Sequence, residues 1–376
     1  MDEEFLNGSA DGEGDDGPPV LPFLPPTDEP SSLALAISVA LVGCLTIAIC
    51  GNASQIVLQI YTRRLTRKIP PQCFIAILLF INFLVPLGLP SVILEKLVRI
   101  WMFGRMSCHA HHILTTAGRV VIPWTVAILH AFVAMFLARP SRFTRVEGVL
   151  ASIAVFGLIA LTVAVVIPQG MAAELELIRK DEIDSDQYIM LIHTYRCFLK
   201  PELNPVKQLA KFGYEFAVPL ILSVYFHLRM DNKTKLKTRA VISRNLASPF
   251  NALKFLSKHA YVTTRGTRSG VLNSILDNEA YILVIHYLCN ILYYIPEQQR
   301  NLMFKVLPED ADLHQLLPFL SPTLIWYPLS QLSAALSRCN SDKIEDDRTR
   351  KRVLGRATDT ERSQLMKAVL DNERTS

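Results

Sequence analysis

The sequence predicts an all-α membrane protein, a bundle of seven transmembrane helices. Half of its 376 residues are hydrophobic and only 19% are charged, whereas soluble domains carry about 25% charged residues. The apolar residues gather into runs of about 20 residues, the length that the hydrocarbon core of a bilayer requires of a helix. Short charged segments separate these runs along the chain.

Seven apolar runs define the predicted spans. The first and second contain no charged residue, the third contains Arg119, and the fifth contains Lys211 and Glu215. Polar residues interrupt the sixth and the seventh. In chain order, the runs cover residues 33–61, 70–94, 109–138, 148–172, 209–228, 280–304 and 313–336.

Charge divides the chain into three regions. Residues 1–32 contain Asp and Glu but no Lys or Arg, with stretches rich in Gly and Pro. That composition predicts a disordered acidic segment. Residues 33–337 hold the seven runs and form the predicted transmembrane domain, and residues 338–376 form a highly charged tail of mixed sign.

The loops between the runs predict the orientation. Basic residues dominate the loops after the first, third and fifth runs, which share one side of the membrane in an alternating count. Because cytoplasmic loops carry the excess of Lys and Arg, we expect an extracellular amino terminus and a cytoplasmic tail in a multi-pass plasma-membrane protein. In that orientation Asn7, in the sequon Asn7-Gly-Ser9, is a predicted glycosylation site.

Local motifs accompany this layout. Trp101-Met-Phe-Gly-Arg-Met-Ser-Cys108 precedes the third run, the pair Gly51-Asn52 lies in the first, and Asn82 ends the segment Phe-Ile-Ala-Ile-Leu-Leu-Phe-Ile-Asn in the second. In these segments the chain resembles the rhodopsin-like (class A) family of G-protein-coupled receptors. It is similar to a divergent member of that family, and the neuropeptide receptors are a candidate subgroup.

The resemblance implies a disulfide and an acylation site. In the family, the Cys that heads the third helix pairs with a Cys of the second extracellular loop, and here Cys197 is the only Cys in that loop. A disulfide between Cys108 and Cys197 is therefore expected on the oxidising side of the membrane. Cys339 follows the seventh run, where family members often carry a palmitoylated Cys.

Charged side chains inside the runs are the candidate ligand-binding residues. Arg119 lies 11 residues after Cys108, about 16 Å along a helix, at the depth of the family's ligand pocket. Lys211 and Glu215 are spaced i, i+4 and therefore share one helix face. Tyr294 stands where the family has a Trp in its sixth helix. Arg119 and Glu215 either form a buried pair that only fixes helix packing or contact an ionic group of a ligand.

The family's coupling motifs are degraded in this chain. At the end of the third run, His130-Ala-Phe132-Val133 replaces Asp-Arg-Tyr, and the seventh run has Tyr327-Pro328 in place of Asn-Pro-x-x-Tyr. Two alternatives to a G-protein-activating receptor therefore stay open. One is a seven-span protein that binds or scaffolds without activating G proteins. The other is a transporter or channel, which needs a continuous polar path, whereas the charges here cluster towards the outer half of the third and fifth runs.

The leading hypothesis is a cell-surface receptor, not an enzyme, that binds an extracellular ligand between its helices. A peptide is favoured over a small molecule because the 173–207 loop is long and the predicted pocket is charged. A heterotrimeric G protein and the lipid bilayer are the other expected partners; no nucleic acid or cofactor is expected. The three histidines near the start of the third run do not share one helix face, so we expect no metal site (His109, His111 and His112).

Overall fold

In the computed structural model of the protein, the described residues are 32–66, 70–98, 100–138, 145–185, 188–199, 204–230, 259–294, 313–356 and 367. The acidic amino-terminal segment with Asn7, the end of the predicted sixth run and most of the basic loop after the fifth run lie outside them.

Helices occupy each of the seven predicted runs within the described residues, and we name the resulting spans in chain order. The first, third and seventh spans are the single helices Ser32–Thr66, Gly104–Ala138 and Leu313–Arg356. The second comprises the helices Pro70–Leu84 and Leu89–Val98, joined by the 3-10 turn Val85–Gly88.

The remaining spans contain irregular turns. The fourth comprises Arg145–Leu161, the π turn Thr162–Val166 and Ile167–Met171. The fifth comprises Pro205–Phe212, the π turn Gly213–Ala217 and a helix over 218–230. The sixth comprises His259–Ile291 and the 3-10 turn Leu292–Tyr294.

The apolar character of the helices supports the membrane assignment. Among the described residues, five helices are long and apolar enough to cross a membrane: Ala34–Thr62, Pro70–Val98, Gly104–Ala138, Val146–Met171 and Val206–Met230. Large apolar side chains such as Val57, Phe156 and Ile221 remain exposed on these helices, as expected where the surrounding solvent is lipid. The fold class predicted from the sequence, a seven-helix membrane bundle, is confirmed.

Two helices extend well beyond the apolar runs that predicted them. The sixth begins at His259 rather than near Ala280, and the seventh continues through Cys339 to Arg356 rather than ending near Leu336. Apolarity marks the part of a helix that lies in lipid. It does not mark where the helix ends, because Lys, Arg and Glu are themselves good helix formers in water.

The 173–207 loop contains a β-hairpin that the all-α prediction omitted. Strand β1 (Ala173–Ser185) pairs antiparallel with strand β2 (Tyr188–Leu199), with a register irregularity between Leu177 and Arg179. The alternating segment Glu-Leu-Glu-Leu at 174–177 has the period of two that is typical of a strand. The alternation covers only four residues, too few to distinguish a strand from an acidic loop in the sequence alone.

Asn52 joins three spans in the interior of the bundle. Its Nδ2 atom donates to the carbonyl oxygens of Ala48 at 2.7 Å, Asn82 at 3.4 Å and Pro322 at 3.1 Å. The last two acceptors belong to the second and seventh spans, and Asn52 is completely buried. A buried polar side chain is stable only when it is hydrogen-bonded, so this amide fixes how the first, second and seventh spans pack.

Candidate functional site

Arg119 of the third span faces Glu215 of the fifth in the interior of the bundle. Arg119 Nε lies 4.0 Å from Glu215 Oε2, and the two side chains are only 9% and 0% exposed. Two charges buried this deeply are costly unless each is paired and hydrogen-bonded. The contacts around the two side chains therefore decide what this pair can do.

Two tyrosine hydroxyls donate hydrogen bonds to the carboxylate of Glu215. Tyr294 of the sixth span donates to Glu215 Oε2 at 2.8 Å, and Tyr214 donates to Oε1 at 3.4 Å. Gln169 of the fourth span donates in turn to the Tyr214 hydroxyl. Glu215 thus connects the fourth, fifth and sixth spans, and each of its carboxylate oxygens has a hydrogen-bond donor other than Arg119.

The guanidinium of Arg119 is less completely satisfied. Its Nη2 atom donates to Thr116 Oγ1 at 3.2 Å, one turn earlier on the same helix. Its Cζ atom lies 4.5 Å from the ring centroid of Tyr293, a cation–π contact. The buried Nε atom has no hydrogen-bond acceptor among the described residues. Since a guanidinium carries five N–H donors, Arg119 retains capacity for a further anionic partner.

The π turn Gly213–Ala217 positions Tyr214 and Glu215. A π turn widens the helix and leaves a carbonyl available for another donor. Here the indole Nε1 of Trp124, on the third span, donates to the carbonyl oxygen of Tyr214 at 2.9 Å. This contact ties the irregular turn to the third span, next to the Arg119–Glu215 pair.

Aromatic rings enclose the side of the pair that faces the sixth span. Tyr294 lies 5.6 Å from Phe212 and 5.2 Å from Phe216 between ring centroids, and Phe216 lies 5.3 Å from Tyr287. Rings at these separations attract one another beyond their burial of area. They also exclude water, which strengthens the electrostatic interaction between Arg119 and Glu215.

The structure brings three of the four predicted ligand-binding residues together. Arg119, Glu215 and Tyr294 form one contiguous group, in which Glu215 pairs with Arg119. Lys211 is half-buried one turn before Glu215 and lies outside this group. Sequence reasoning missed the uncharged members of the group: Thr116, Gln169, Tyr214 and Tyr293. Their residue types carry no signal of their own, although Tyr214 and Tyr293 are direct chain neighbours of Glu215 and Tyr294.

The predicted disulfide is confirmed. Cys108 is bonded to Cys197, with a Cα–Cα distance of 5.6 Å. Trp101 is buried beside this bond, and its backbone N–H donates to the carbonyl oxygen of Tyr195 at 2.8 Å. Its indole donates to the carbonyl oxygen of Gly104 at 2.9 Å. The Trp-x-Phe-Gly-x-x-x-Cys motif therefore anchors the β-hairpin to the start of the third span.

The remaining predicted residues lie elsewhere. Cys339 is half-buried within the seventh helix and packs against the hydrophobic core, so its palmitoylation stays a prediction. Tyr327 is 58% exposed and faces away from the bundle interior. His112 lies near Cys108 and Cys197, but the disulfide occupies both sulfur atoms, and a disulfide offers no thiolate to a metal.

Comparisons with known proteins agree with this fold. No protein-family model matches the chain. The chain is 23% identical over 189 residues to neuropeptide receptor 18 of Caenorhabditis elegans, a match that covers 48% of this chain and only 40% of that receptor. Its structure is similar to the crystal structure of squid rhodopsin, with a TM-score of 0.54 and 14% identity, over 89% of this chain and 96% of the rhodopsin chain.

The similarity to rhodopsin establishes the seven-helix fold. The weaker sequence similarity to a neuropeptide receptor agrees with the family resemblance of the motif residues. Gly51-Asn52 and Trp101 to Cys108 perform structural roles at the places where the resemblance put them. The chain has the seven-helix fold of rhodopsin and is similar, as a divergent relative, to the rhodopsin-like (class A) family of G-protein-coupled receptors.

Proposed function

We propose that the chain is a cell-surface receptor for an extracellular peptide, which binds between the third, fifth and sixth spans. The observation that carries this proposal is the asymmetry of the Arg119–Glu215 pair. Glu215 is held by Tyr214 and Tyr294, whereas Arg119 Nε has no acceptor among the described residues. A carboxylate of the peptide, at its carboxyl terminus or on an acidic side chain, would accept the hydrogen bonds that the Arg119 guanidinium does not make within the bundle.

The hairpin and the proposed orientation support a peptide ligand. Strands β1 and β2 are attached through Cys197 to the start of the third span, about 16 Å along the helix from Arg119. In the orientation predicted from the loop charges, the hairpin and the amino terminus are extracellular. An extended peptide has enough length to contact both the hairpin and the buried Arg119. The similarity to a receptor named for neuropeptides favours the same ligand class.

A second-messenger assay against a peptide library, in cells that express the chain, is the first experiment. Once a peptide is found, Arg119→Gln is expected to weaken its binding about 10- to 100-fold, because a hydrogen bond to a charged group is worth about 1.5–3 kcal/mol. Arg229→Gln is the matched control, since Arg229 is exposed on the same span, 14 residues after Glu215. Removal of the acidic group from the peptide should weaken binding to the unmodified chain and have little further effect on Arg119→Gln.

The alternative role of Arg119 as a packing residue makes a different prediction. If the pair only fixes the helices, Arg119→Gln and Glu215→Gln should both lower the thermal stability, and neither should change selectivity between acidic and amidated peptides. Equal losses of affinity for both peptide forms in Arg119→Gln would therefore contradict direct recognition.

Weak activation of G proteins is the second part of the proposal. The third span lacks an Arg between 130 and 133, and the side chains at this place are packed into the core. Phe132 stacks on Phe74 of the second span with ring centroids 4.9 Å apart, and Val133 is fully buried. These residues fit best a receptor that binds its ligand but gives only weak activation of G proteins. A protein that binds or scaffolds without any activation is the extreme form of the same proposal.

A further inference from the structure

A second polar cluster lies deep in the bundle, near the end opposite the disulfide. It consists of His130 of the third span, His227 of the fifth and Glu279 of the sixth, and His130 and Glu279 are completely buried. His130 follows Cys108 by 22 residues, about 33 Å along the helix. The cluster is therefore separate from the Arg119–Glu215 pair. Glu279 immediately precedes the predicted sixth run, and sequence reasoning did not place it in the interior.

Three metal-ligating groups converge in this cluster. One ligand atom from each of His130, His227 and Glu279 lies within 4.8 Å of the other two. The rings of His130 and His227 are 6.3 Å apart between centroids. Each ligand comes from a different span, so the convergence depends on the packing of the third, fifth and sixth spans against one another.

The hydrogen bond of His130 prepares its ring for a metal. Nδ1 lies 2.8 Å from the carbonyl oxygen of Val126. Because a carbonyl oxygen only accepts, Nδ1 carries the proton and Nε2 presents a lone pair in the neutral ring. Nε2 is buried and makes no hydrogen bond of standard geometry within the described residues, although the backbone of Glu279 lies close to the ring. Metal-ligating histidines commonly donate their other N–H to a backbone carbonyl in this way.

Glu279 lacks a compensating cation among the described residues. Both carboxylate oxygens are buried, and neither accepts a hydrogen bond from the part of the chain that the structure describes. A carboxylate in an apolar interior requires a positive partner or a proton. A divalent ion bound to one of the carboxylate oxygens would supply the compensating charge.

We propose that His130, His227 and Glu279 bind one divalent transition-metal ion, with Zn²⁺ as the first choice. Two imidazoles and one carboxylate are a donor set that zinc accepts, with water in a fourth position. Bonds of about 2.0–2.2 Å place tetrahedral ligand atoms about 3.4 Å apart. Small side-chain rotations therefore bring the observed group into binding geometry. The ion links three spans and stabilises the arrangement in which they are packed together.

The test uses the purified full-length chain in nanodiscs, with any affinity tag removed and metals extracted by a chelator. Titration with Co²⁺ should give the intense visible absorption of a tetrahedral site at one equivalent, and Zn²⁺ should abolish it by displacement. Zn²⁺ should also raise the thermal unfolding temperature. Glu279→Gln and His130→Asn are each expected to weaken binding at least tenfold and to lose the Zn²⁺-dependent thermal shift.

Two further variants separate loss of the site from loss of the fold. Glu279→His keeps a ligand at the third position and should retain the tetrahedral Co²⁺ spectrum, as a folded control for Glu279→Gln. His286→Asn removes another buried histidine of the sixth span, one that contacts Ser321, and should leave metal binding unchanged. The proposal is overturned if the unmodified chain binds no equivalent of metal, or if Glu279→Gln binds Co²⁺ and Zn²⁺ as tightly as the unmodified chain.

Discussion

The phenol of Tyr294 donates a hydrogen bond of 2.8 Å to Oε2 of Glu215. This contact joins the sixth span to the π turn of the fifth, and Glu215 is completely buried. A movement of the sixth span relative to the fifth must break or redirect this bond. The bond therefore links the candidate ligand site to the relative positions of two spans.

Removal of the Tyr294 hydroxyl should destabilise the bundle. Tyr294→Phe keeps the ring and its contacts with Phe212 and Phe216 but leaves one buried carboxylate oxygen without this donor. The expected cost is about 1–3 kcal/mol, measured as a lower thermal unfolding temperature in detergent. Tyr293→Phe is the matched control, because Tyr293 contacts Arg119 through its ring face. A larger loss in Tyr293→Phe than in Tyr294→Phe would contradict the role of the Tyr294 hydroxyl.

Gly51 is predicted to be intolerant of any side chain. A Cβ atom added there would lie 2.7 Å from the indole of Trp326 on the seventh span. Gly51→Ala should therefore destabilise the bundle by about 1–3 kcal/mol, the usual cost of overpacking. Gly43→Ala, on the same helix with nothing within 4 Å of the added atom, should be close to neutral in thermal unfolding.

A smaller residue at 326 provides the second half of that test. The double variant Gly51→Ala with Trp326→Leu should be more stable than the sum of the two single losses predicts, because the clash is removed. Strict additivity of the two losses would show that Gly51 is required for a reason other than contact with Trp326.

Loss of the Cys108–Cys197 disulfide should reduce surface expression. The bond spans a sequence separation of 89 residues, and its removal should cost about 4.6 kcal/mol in a chain-entropy estimate. Cys108→Ser, Cys197→Ser and the double variant should have nearly equal effects, since each removes the same bond. Cys289→Ser, which changes a free cysteine, is the control. Peptide mapping without reduction that detects both thiols free would disprove the bond itself.

Features that depend on apolar runs and on charge bias could be predicted from the sequence. Contacts that depend on how the spans pack against one another could not. The seven-helix fold followed from run lengths, and the disulfide followed from a motif with a fixed spacing. Arg119 and Glu215 could be found because a charge inside an apolar run is conspicuous. Tyr214 and Gln169 could not, because their role arises only from the π turns and from the approach of the fourth span to the fifth.

Ligand affinity should respond little to sodium. Family members hold Na⁺ with an Asp in the second helix, whereas this chain has Asn82, which is fully buried and uncharged. The side-chain oxygen and nitrogen of Asn82 have no hydrogen-bond partner among the described residues. Exchange of Na⁺ for a larger organic cation at constant ionic strength should change affinity less than about twofold, whereas Asn82→Asp should introduce a sodium effect. A tenfold shift in the unmodified chain would contradict this prediction.

G-protein activation should be weak in the unmodified chain. In the family, the Arg of Asp-Arg-Tyr is held by neighbouring acids in the inactive state and contacts the G protein in the active state. Here His130 is hydrogen-bonded to Val126, and Phe132 is stacked on Phe74. Neither side chain can make the bidentate contacts of a guanidinium. Loss of the Arg alone would permit either weak coupling or high basal activity, and the degraded Tyr327-Pro328 motif favours weak coupling.

Restoration of the motif tests this prediction. Asp-Arg-Tyr is introduced at 130–132 in one variant and at 132–134 in another, and ligand-driven G-protein activation is compared with the unmodified chain at matched surface level. The second variant preserves His130 and therefore the proposed metal site, whereas the first removes it. We expect activation to increase in at least one variant. The increase should be larger in the second variant if the contacts of His130 also stabilise the bundle. Robust activation by the unmodified chain, comparable to that of a receptor with an intact motif, would refute weak coupling.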